Sequence, residues 1–199
     1  MKKDALLIFY RNPVPGKVKT RLAVTVGNAK AFSIYKQLLN HIVSITNYLP
    51  IDKLIFYSEH IERQDVWEDE QYIKQIQQGK DLGERMSNAL LSAFEMNYER
   101  VVIIGTDCPE LTAGIIMNAF AYLNSHDVAI GPAADGGYYL LGMKQHHSLL
   151  FKDVYWSTDS VLEHTIDICK ENDLSYALLP VLHDIDEEKD LIHLEKQRV

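Results

Sequence analysis

Six apolar residues, Ala5-Leu6-Leu7-Ile8-Phe9-Tyr10, run without a break into Arg11. A strand half open to water would alternate apolar with polar residues, so this run reads as a strand buried on both faces. Such strands belong to parallel sheets covered by helices on each side. The run leads into a cationic loop, Arg11-Asn12-Pro13-Val14-Pro15-Gly16-Lys17-Val18-Lys19-Thr20-Arg21-Leu22. No Asp or Glu occurs between Asp4 and Asp52, while Arg11, Lys17, Lys19, Arg21, Lys30 and Lys36 do, in a chain of formal net charge -8. The carboxyl end of a strand is where an α/β sheet holds an anion. Backbone N–H groups around Gly16 can approach phosphate oxygens closely, with lysine and arginine supplying charge. A solvated turn with scattered basic residues is the alternative. The loop matches neither Gly-x-x-x-x-Gly-Lys-[Ser/Thr] nor the dinucleotide fingerprint Gly-x-Gly-x-x-Gly.

Strand-like and helix-like patterns alternate along the rest of the chain. Residues 28–48 carry Ala31, Ile34, Tyr35, Leu38, Leu39, Ile42 and Ile45 at helical spacing, ended by Pro50. Residues 53–57 read as a strand, 58–70 as a short surface helix or loop, and 72–77 as a short strand. Asp81-Leu82-Gly83-Glu84 fits a capping box with Asp81 as N-cap and Glu84 reaching back, opening a helix to about residue 98. Strands are predicted over 101–105, 127–132, 138–143 and 175–182, and helices over 112–124, 157–171 and from 187 onward. The alternation predicts one α/β domain over 1–199 with a mainly parallel sheet and helices on both faces.

Three further loops sit at predicted strand ends. In Ile104-Gly105-Thr106-Asp107-Cys108-Pro109, Asp107 is placed to bind Mg²⁺ or phosphate, or to make an Asx turn. In Gly131-Pro132-Ala133-Ala134-Asp135-Gly136-Gly137-Tyr138, two glycines permit close approach and positive φ, and Asp135 is an acceptor for a hydroxyl or a metal-bound water. The same tripeptide is also a hairpin signal. In His183-Asp184-Ile185-Asp186-Glu187-Glu188, two alternating carboxylates could complete a metal site, and Asp186 would equally serve as N-cap for the last helix. In Trp156-Ser157-Thr158, Ser157 or Thr158 is the expected N-cap of the next helix.

Composition narrows the class. The acidic balance argues against a general nucleic-acid binder. The first apolar run is too short to span a membrane, and a cleavage site of small residues is missing. Cys108 and Cys169 have no CxxC spacing, which fits a reduced, cytoplasmic protein. The 8 histidines show no zinc-like grouping with cysteine. The sequence carries no signature of oligomeric state.

The order of these motifs, with Asp81-Leu82-Gly83-Glu84-Arg85-Met86 between the first and second, resembles a bacterial family of GT-A-like glycosyltransferases, also labelled selenodomain-associated transferases, over nearly the whole chain. That family is similar to nucleotidyltransferases such as phospholactate guanylyltransferase. The resemblance implies a single-domain GT-A fold acting on a nucleotide or nucleotide sugar, with Mg²⁺ or Mn²⁺ and a small-molecule acceptor. Glycosyl transfer is the first reading. Nucleotidyl transfer with pyrophosphate release and a non-catalytic nucleotide-binding domain are the alternatives. It implies that Arg11, Gly16, Lys17, Lys19 and Arg21 bind the nucleotide; Asp81 and Arg85, at a helix N-terminus, would either reach the nucleotide too or only cap and pair locally. Asp107 and Asp186 would bind the metal, Asp107 and Asp135 would be catalytic, and Gly136, Gly137 and Tyr138 would line the acceptor pocket. The chain departs from the family pattern in two places. Asp107 has no Asp-x-Asp partner, and Glu187 stands where the family often has Thr, which leaves Asp184 and Asp186 both open as the second metal ligand.

Overall fold

The computed structural model describes residues 3–156 and 158–195. In chain order the elements are β1 (Asp4–Tyr10), α1 (Thr20–Val26), α2 (Asn28–Thr46), β2 (Asp52–Tyr57), β3 (Ile73–Ile76), α3 (Leu82–Glu95), β4 (Arg100–Ile104), α4 (Ala113–Tyr122), β5 (Val128–Pro132), β6 (Tyr138–Met143), α5 (Val161–Glu171), β7 (Tyr176–Leu178) and α6 (Leu191–Glu195). Single 3₁₀ turns lie at Ser148–Phe151 and Glu188–Asp190.

The strands form one seven-stranded sheet in the order β3-β2-β1-β4-β6-β5-β7. Neighbours are parallel except where β6 runs antiparallel between β4 and β5. Alternation along each buried strand separates two cores. Leu6, Ile8, Tyr10, Val102 and Ile104 pack with Tyr35, Leu39 and Ile42 of α2 and Ile116 and Phe120 of α4. Ala5, Leu7, Leu54, Val101 and Ile103 pack with Met86, Leu90 and Ala93 of α3 and Ile168 and Cys169 of α5. Cys108 and Cys169 are both free and buried, one in each core, so the sheet separates them. Arg100 clamps β4 to β1 through a fork to Asp4, Nε to Oδ1 at 2.7 Å and Nη2 to Oδ2 at 2.6 Å.

The structure departs from sequence expectation in several elements. Helix α1 is unpredicted because Thr20, Val24, Thr25 and Val26 are β-branched and Lys19 at the N-cap makes no side-chain cap bond. It is held by Leu22 packing against Ala31, Ile34 and Leu38 of α2 and against Ile185. Residues 58–70 take the loop of the two forms expected there, anchored by Trp67, which is 1% exposed and packs edge-on against Tyr10 and Tyr72. Helix α5 starts at Val161 behind Ser160, not at 157. Thr158 does not cap it, since its Oγ1 bonds Tyr155 O and Ser160 Oγ; Ser157 lies outside the described residues. Strand β7 is shorter than predicted, and Pro180 beyond it has no N–H to give a ladder. The segment nonetheless keeps tracking β5, with Leu179 N donating to Ile130 O and Leu182 N to Pro132 O.

Candidate active site

Parallel β1, β2, β4 and β5 deliver their carboxyl ends to one edge of the sheet, and antiparallel β6 begins at that edge with Tyr138. A cleft of about 890 Å³ opens there, lined by loops from all of them. This is the edge at which open α/β sheets bind ligands.

The loop after β1 is pinned by Asn12, which is buried. Its Nδ2 donates to His60 O at 2.9 Å and its Oδ1 accepts from Glu59 N at 3.1 Å, tying the loop to the end of β2. Tyr35 of α2 donates to the carbonyl of Arg11. Gly16 turns the chain at φ +78°. Lys19 lies in the left-handed region, at φ 48°. A lysine there is strained, and such strain collects at functional sites. The conformation turns the Lys19 side chain inward, where it is 4% exposed, with Nζ 2.8 Å from Asp107 Oδ1 and 3.2 Å from Asp186 Oδ1. Burial alone would lower the Lys19 pKa; the two carboxylates outweigh it and hold it raised. Arg21, on α1, is exposed and lies 3.6 Å from Asp186.

Asp107 stands just beyond the end of β4. The 184–186 segment runs beside it, with Ile185 N donating to Asp107 O at 3.0 Å. Ile185 is fully buried against Leu22, while Asp184 and Asp186 on either side of it line the cleft. Burial and then the neighbouring Asp107 push the Asp184 carboxyl up to about 7. Asp186 is not the cap of the last helix. The N-cap is Glu187, in a capping box with Asp190. Asp186 N and Glu187 N both donate to Asp190 Oδ2, at 3.0 and 2.7 Å, which leaves the Asp186 carboxylate free of capping duty.

The opposite wall comes from the loop between β5 and β6 and from the start of α3. Asp135 makes an Asx turn, accepting from Gly137 N at 2.9 Å, and lines the cleft with Gly137 and Tyr138. Gly136 does not line it. Its φ is +90°, and an added Cβ would stand 2.1 Å from Asp159 O, so glycine is required there by the neighbouring backbone rather than by a ligand. The Tyr138 hydroxyl is buried without a partner. Trp156 packs edge-on to Tyr138 and lies over Gly83, where a Cβ would meet its indole at 2.3 Å. Asp81 caps α3, accepting from Glu84 N at 2.8 Å; Glu84 returns not to Asp81 but to Lys80 N, at 2.7 Å. Arg85 Nε donates to Gly79 O at 3.1 Å.

The fold therefore brings Arg11, Lys19, Arg21, Asp81, Arg85, Asp107, Asp135, Gly137, Tyr138 and Asp186 to one cleft. Gly16 and Lys17 sit on the exposed outer turn of their loop and do not line it. Asp159 and Trp156 do line it, though sequence reasoning assigned them no role. Their one signal was the Trp156-Ser157-Thr158 motif, which Trp156 opens and Asp159 follows.

Residues 42–158 match the model of a family described as uncharacterized proteins conserved in bacteria, DUF2064. The chain belongs to the DUF2064 family. A solved structure from Desulfovibrio desulfuricans, provisionally assigned as a nucleotide-diphospho-sugar transferase, is 34% identical over 100% of this chain and 88% of its own, with a TM-score of 0.90. The 2-C-methyl-D-erythritol 4-phosphate cytidylyltransferase of Thermus thermophilus shares 13% identity at TM-score 0.57, with each chain covered in full. A CMP:2-keto-3-deoxy-manno-octonic acid synthetase solved with CTP shares 10% at 0.57, again with full coverage of both. These two share the fold alone. No curated protein matches the chain in sequence. This DUF2064 member thus has the nucleotide-diphospho-sugar transferase fold, as its motifs imply. Among the described residues, no helix is long and apolar enough to cross a membrane.

Proposed function

We propose that the protein is a metal-assisted transferase using a nucleotide-diphospho-sugar, with the cleft at the carboxyl edge of the sheet as its active site. The observation that carries this reading is Lys19 held between Asp107 and Asp186 at that edge. Cations beside crowded carboxylates suit a polyphosphate and its counter-ion. The donor set fits a hard divalent ion. Three aspartates, Asp107, Asp184 and Asp186, face one cleft, and their crowding adds to burial in raising Asp184. Oxygen donors of this kind suit Mg²⁺ or Mn²⁺. Asp107 and Asp186 would hold the ion, and when bound it would supply charge neutralisation on the phosphates.

Arg11, Lys19 and Arg21 bind and orient the diphosphate and stabilise the charge that develops as it leaves. The bond from the anomeric carbon to the phosphate oxygen breaks, and its electron pair leaves with the nucleoside diphosphate. A bond from that carbon to an acceptor hydroxyl forms, and Asp135, exposed on the facing wall, takes the hydroxyl proton. Tyr138 and Trp156 form an apolar wall against which an acceptor can pack.

Nucleotidyl transfer is the second reading, favoured by the number of cations around the cleft and by the cytidylyltransferase folds. A thermal-shift screen of nucleoside triphosphates and nucleotide sugars, with and without Mg²⁺, should show stabilisation by a nucleotide sugar that needs both ligands. Turnover then separates the reactions. Release of nucleoside diphosphate supports glycosyl transfer, release of pyrophosphate supports the second reading, and no ligand response rejects both.

A further inference from the structure

Three side chains that do not line the cleft meet behind its carboxylates. Glu110 comes from the turn after β4, His183 from the segment before Asp184, and His193 from α6. A ligand-capable atom from each lies within 4.8 Å of the other two. His183 Nδ1 is 2.9 Å from Glu110 Oε2, and His193 Nδ1 is 3.3 Å from Oε1. The two imidazoles stack at 3.7 Å with 14° between planes, so both present the same ring edge to one carboxylate. Asp184 lines the cleft, and His183 before it turns to Glu110.

We propose that Glu110, His183 and His193 form a metal site separate from the cleft, taking a borderline transition-metal ion such as Zn²⁺. Bonds of about 2.0–2.1 Å at tetrahedral angles put zinc ligands roughly 3.3 Å apart; His193 Nδ1 already stands 3.3 Å from Glu110 Oε1, while the shorter 2.9 Å contact of His183 and the parallel ring stack mean that the imidazoles turn about their side-chain bonds to aim both Nδ1 atoms at one ion. Two imidazoles and a carboxylate are donors that zinc favours and Mg²⁺ does not. The side chains are 26%, 41% and 17% exposed for Glu110, His183 and His193, which leaves a solvent-facing position for a fourth ligand. The backbone also orients the carboxylate, since His183 N donates to Glu110 Oε2 at 2.8 Å.

The ion would bolt α6 to the turn that carries Asp107, three residues before Glu110. A metal-free clamp, with both imidazoles donating Nδ1–H to Glu110, is the competing arrangement, and the two differ in zinc binding.

Metal-stripped full-length protein titrated with Zn²⁺ against a competing chelator should bind one ion per chain, with a rise in melting temperature that equal Mg²⁺ does not produce. Co²⁺ in its place should give the visible spectrum of a four-coordinate ion. His193→Ala should weaken Zn²⁺ at least 30-fold, and Asp186→Asn should leave it unchanged. Glu110→Gln preserves the side-chain shape and one acceptor oxygen for His183 N, so it is the milder variant if His193→Ala does not fold; it should weaken Zn²⁺ at least tenfold. The proposal is overturned by an absence of stoichiometric Zn²⁺. It is equally overturned if binding survives both His193→Ala and Glu110→Gln, or if Asp186→Asn abolishes it, which would put the ion in the cleft. None of these outcomes depends on transferase activity.

Discussion

Lys19 Nζ lies 2.8 Å from Asp107 Oδ1, with the lysine side chain almost wholly enclosed and the carboxylate half exposed. The ammonium neutralises charge that would otherwise set Asp107 against Asp186 and Asp184. Removing one partner of a fully buried ion pair costs about 3–5 kcal/mol. Water reaches both carboxylates here, so Lys19→Met should cost less, about 1–2 kcal/mol. Mg²⁺ should then raise the melting temperature of Lys19→Met more than that of wild type, since a cation can take the vacated place. Equal Mg²⁺ responses in differential scanning calorimetry would count against the pairing.

Arg21 is exposed, and its contact to Asp186 is long, at 3.6 Å. Arg21→Ala should leave the melting temperature within about 1–2 °C of wild type. It should weaken nucleotide-sugar binding by about 1–2 kcal/mol, a factor of roughly 5 to 30. Isothermal titration at two salt concentrations checks this. The mutant's affinity should depend less on salt.

Asp186→Asn discriminates between a structural and a chemical role. Because Glu187 and Asp190 form the capping box, the change removes no cap. Loss of the partly exposed pairs to Lys19 and Arg21 should cost no more than about 1 kcal/mol of stability, while turnover falls roughly 100-fold or more, through loss of a carboxylate that would hold the metal. Full turnover would move the assignment to Asp184.

The raised Asp184 carboxyl makes the metal-free protein less stable in base. Its folded pKa of about 7 lies above the ordinary carboxyl value, so the native state keeps a proton that the unfolded chain gives up from about pH 4. This group's contribution is largest below pH 4 and is lost as pH rises through about 7, by at most about 4 kcal/mol. Metal-free wild type should therefore melt higher at pH 5.5 than at pH 8, and Asp184→Asn should narrow that gap. A gap of the same size in the variant would show that other groups set it.

Gly136 and Gly16 share positive φ but differ in surroundings. At Gly136 a Cβ would collide with the Asp159 backbone; at Gly16 it would meet nothing within 4 Å. Gly16→Ala should cost roughly 1–2 kcal/mol from backbone strain alone. Gly136→Ala should cost more than about 3 kcal/mol, through strain plus displacement of the segment leading to α5. Urea unfolding of the two variants measures the difference.

The sheet and most helices were legible because the signal for each lies within a few residues. Unbroken apolar runs marked β1, β4 and β5, and helical spacing marked α2 and α3. The same local signals put Asp107 at a strand end. Helix α1 was not legible, since its β-branched residues disfavour a helix and only contacts to α2 and Ile185 hold it. Lys19 reads locally as one more cation for phosphate; its enclosure by Asp107 and Asp186 was invisible there.

The amino-acid sequence by itself determined the α/β alternation, the buried strands and the gathering of Asp107, Asp135 and the 184–186 carboxylates at strand ends, because periodicity and turn chemistry act at short range. Only the tertiary structure decided which charges meet. Lys19 and Asp186 are 167 residues apart, and their contact depends on a left-handed backbone at Lys19 and on Ile185 docking against α1. Tyr138 reaches the cleft because β6 runs antiparallel. His183 reaches Glu110 because the chain beyond β7 returns beside the turn after β4, where His183 N and Nδ1 both meet Glu110 Oε2. Such contacts are set by packing between elements, and no local pattern encodes them.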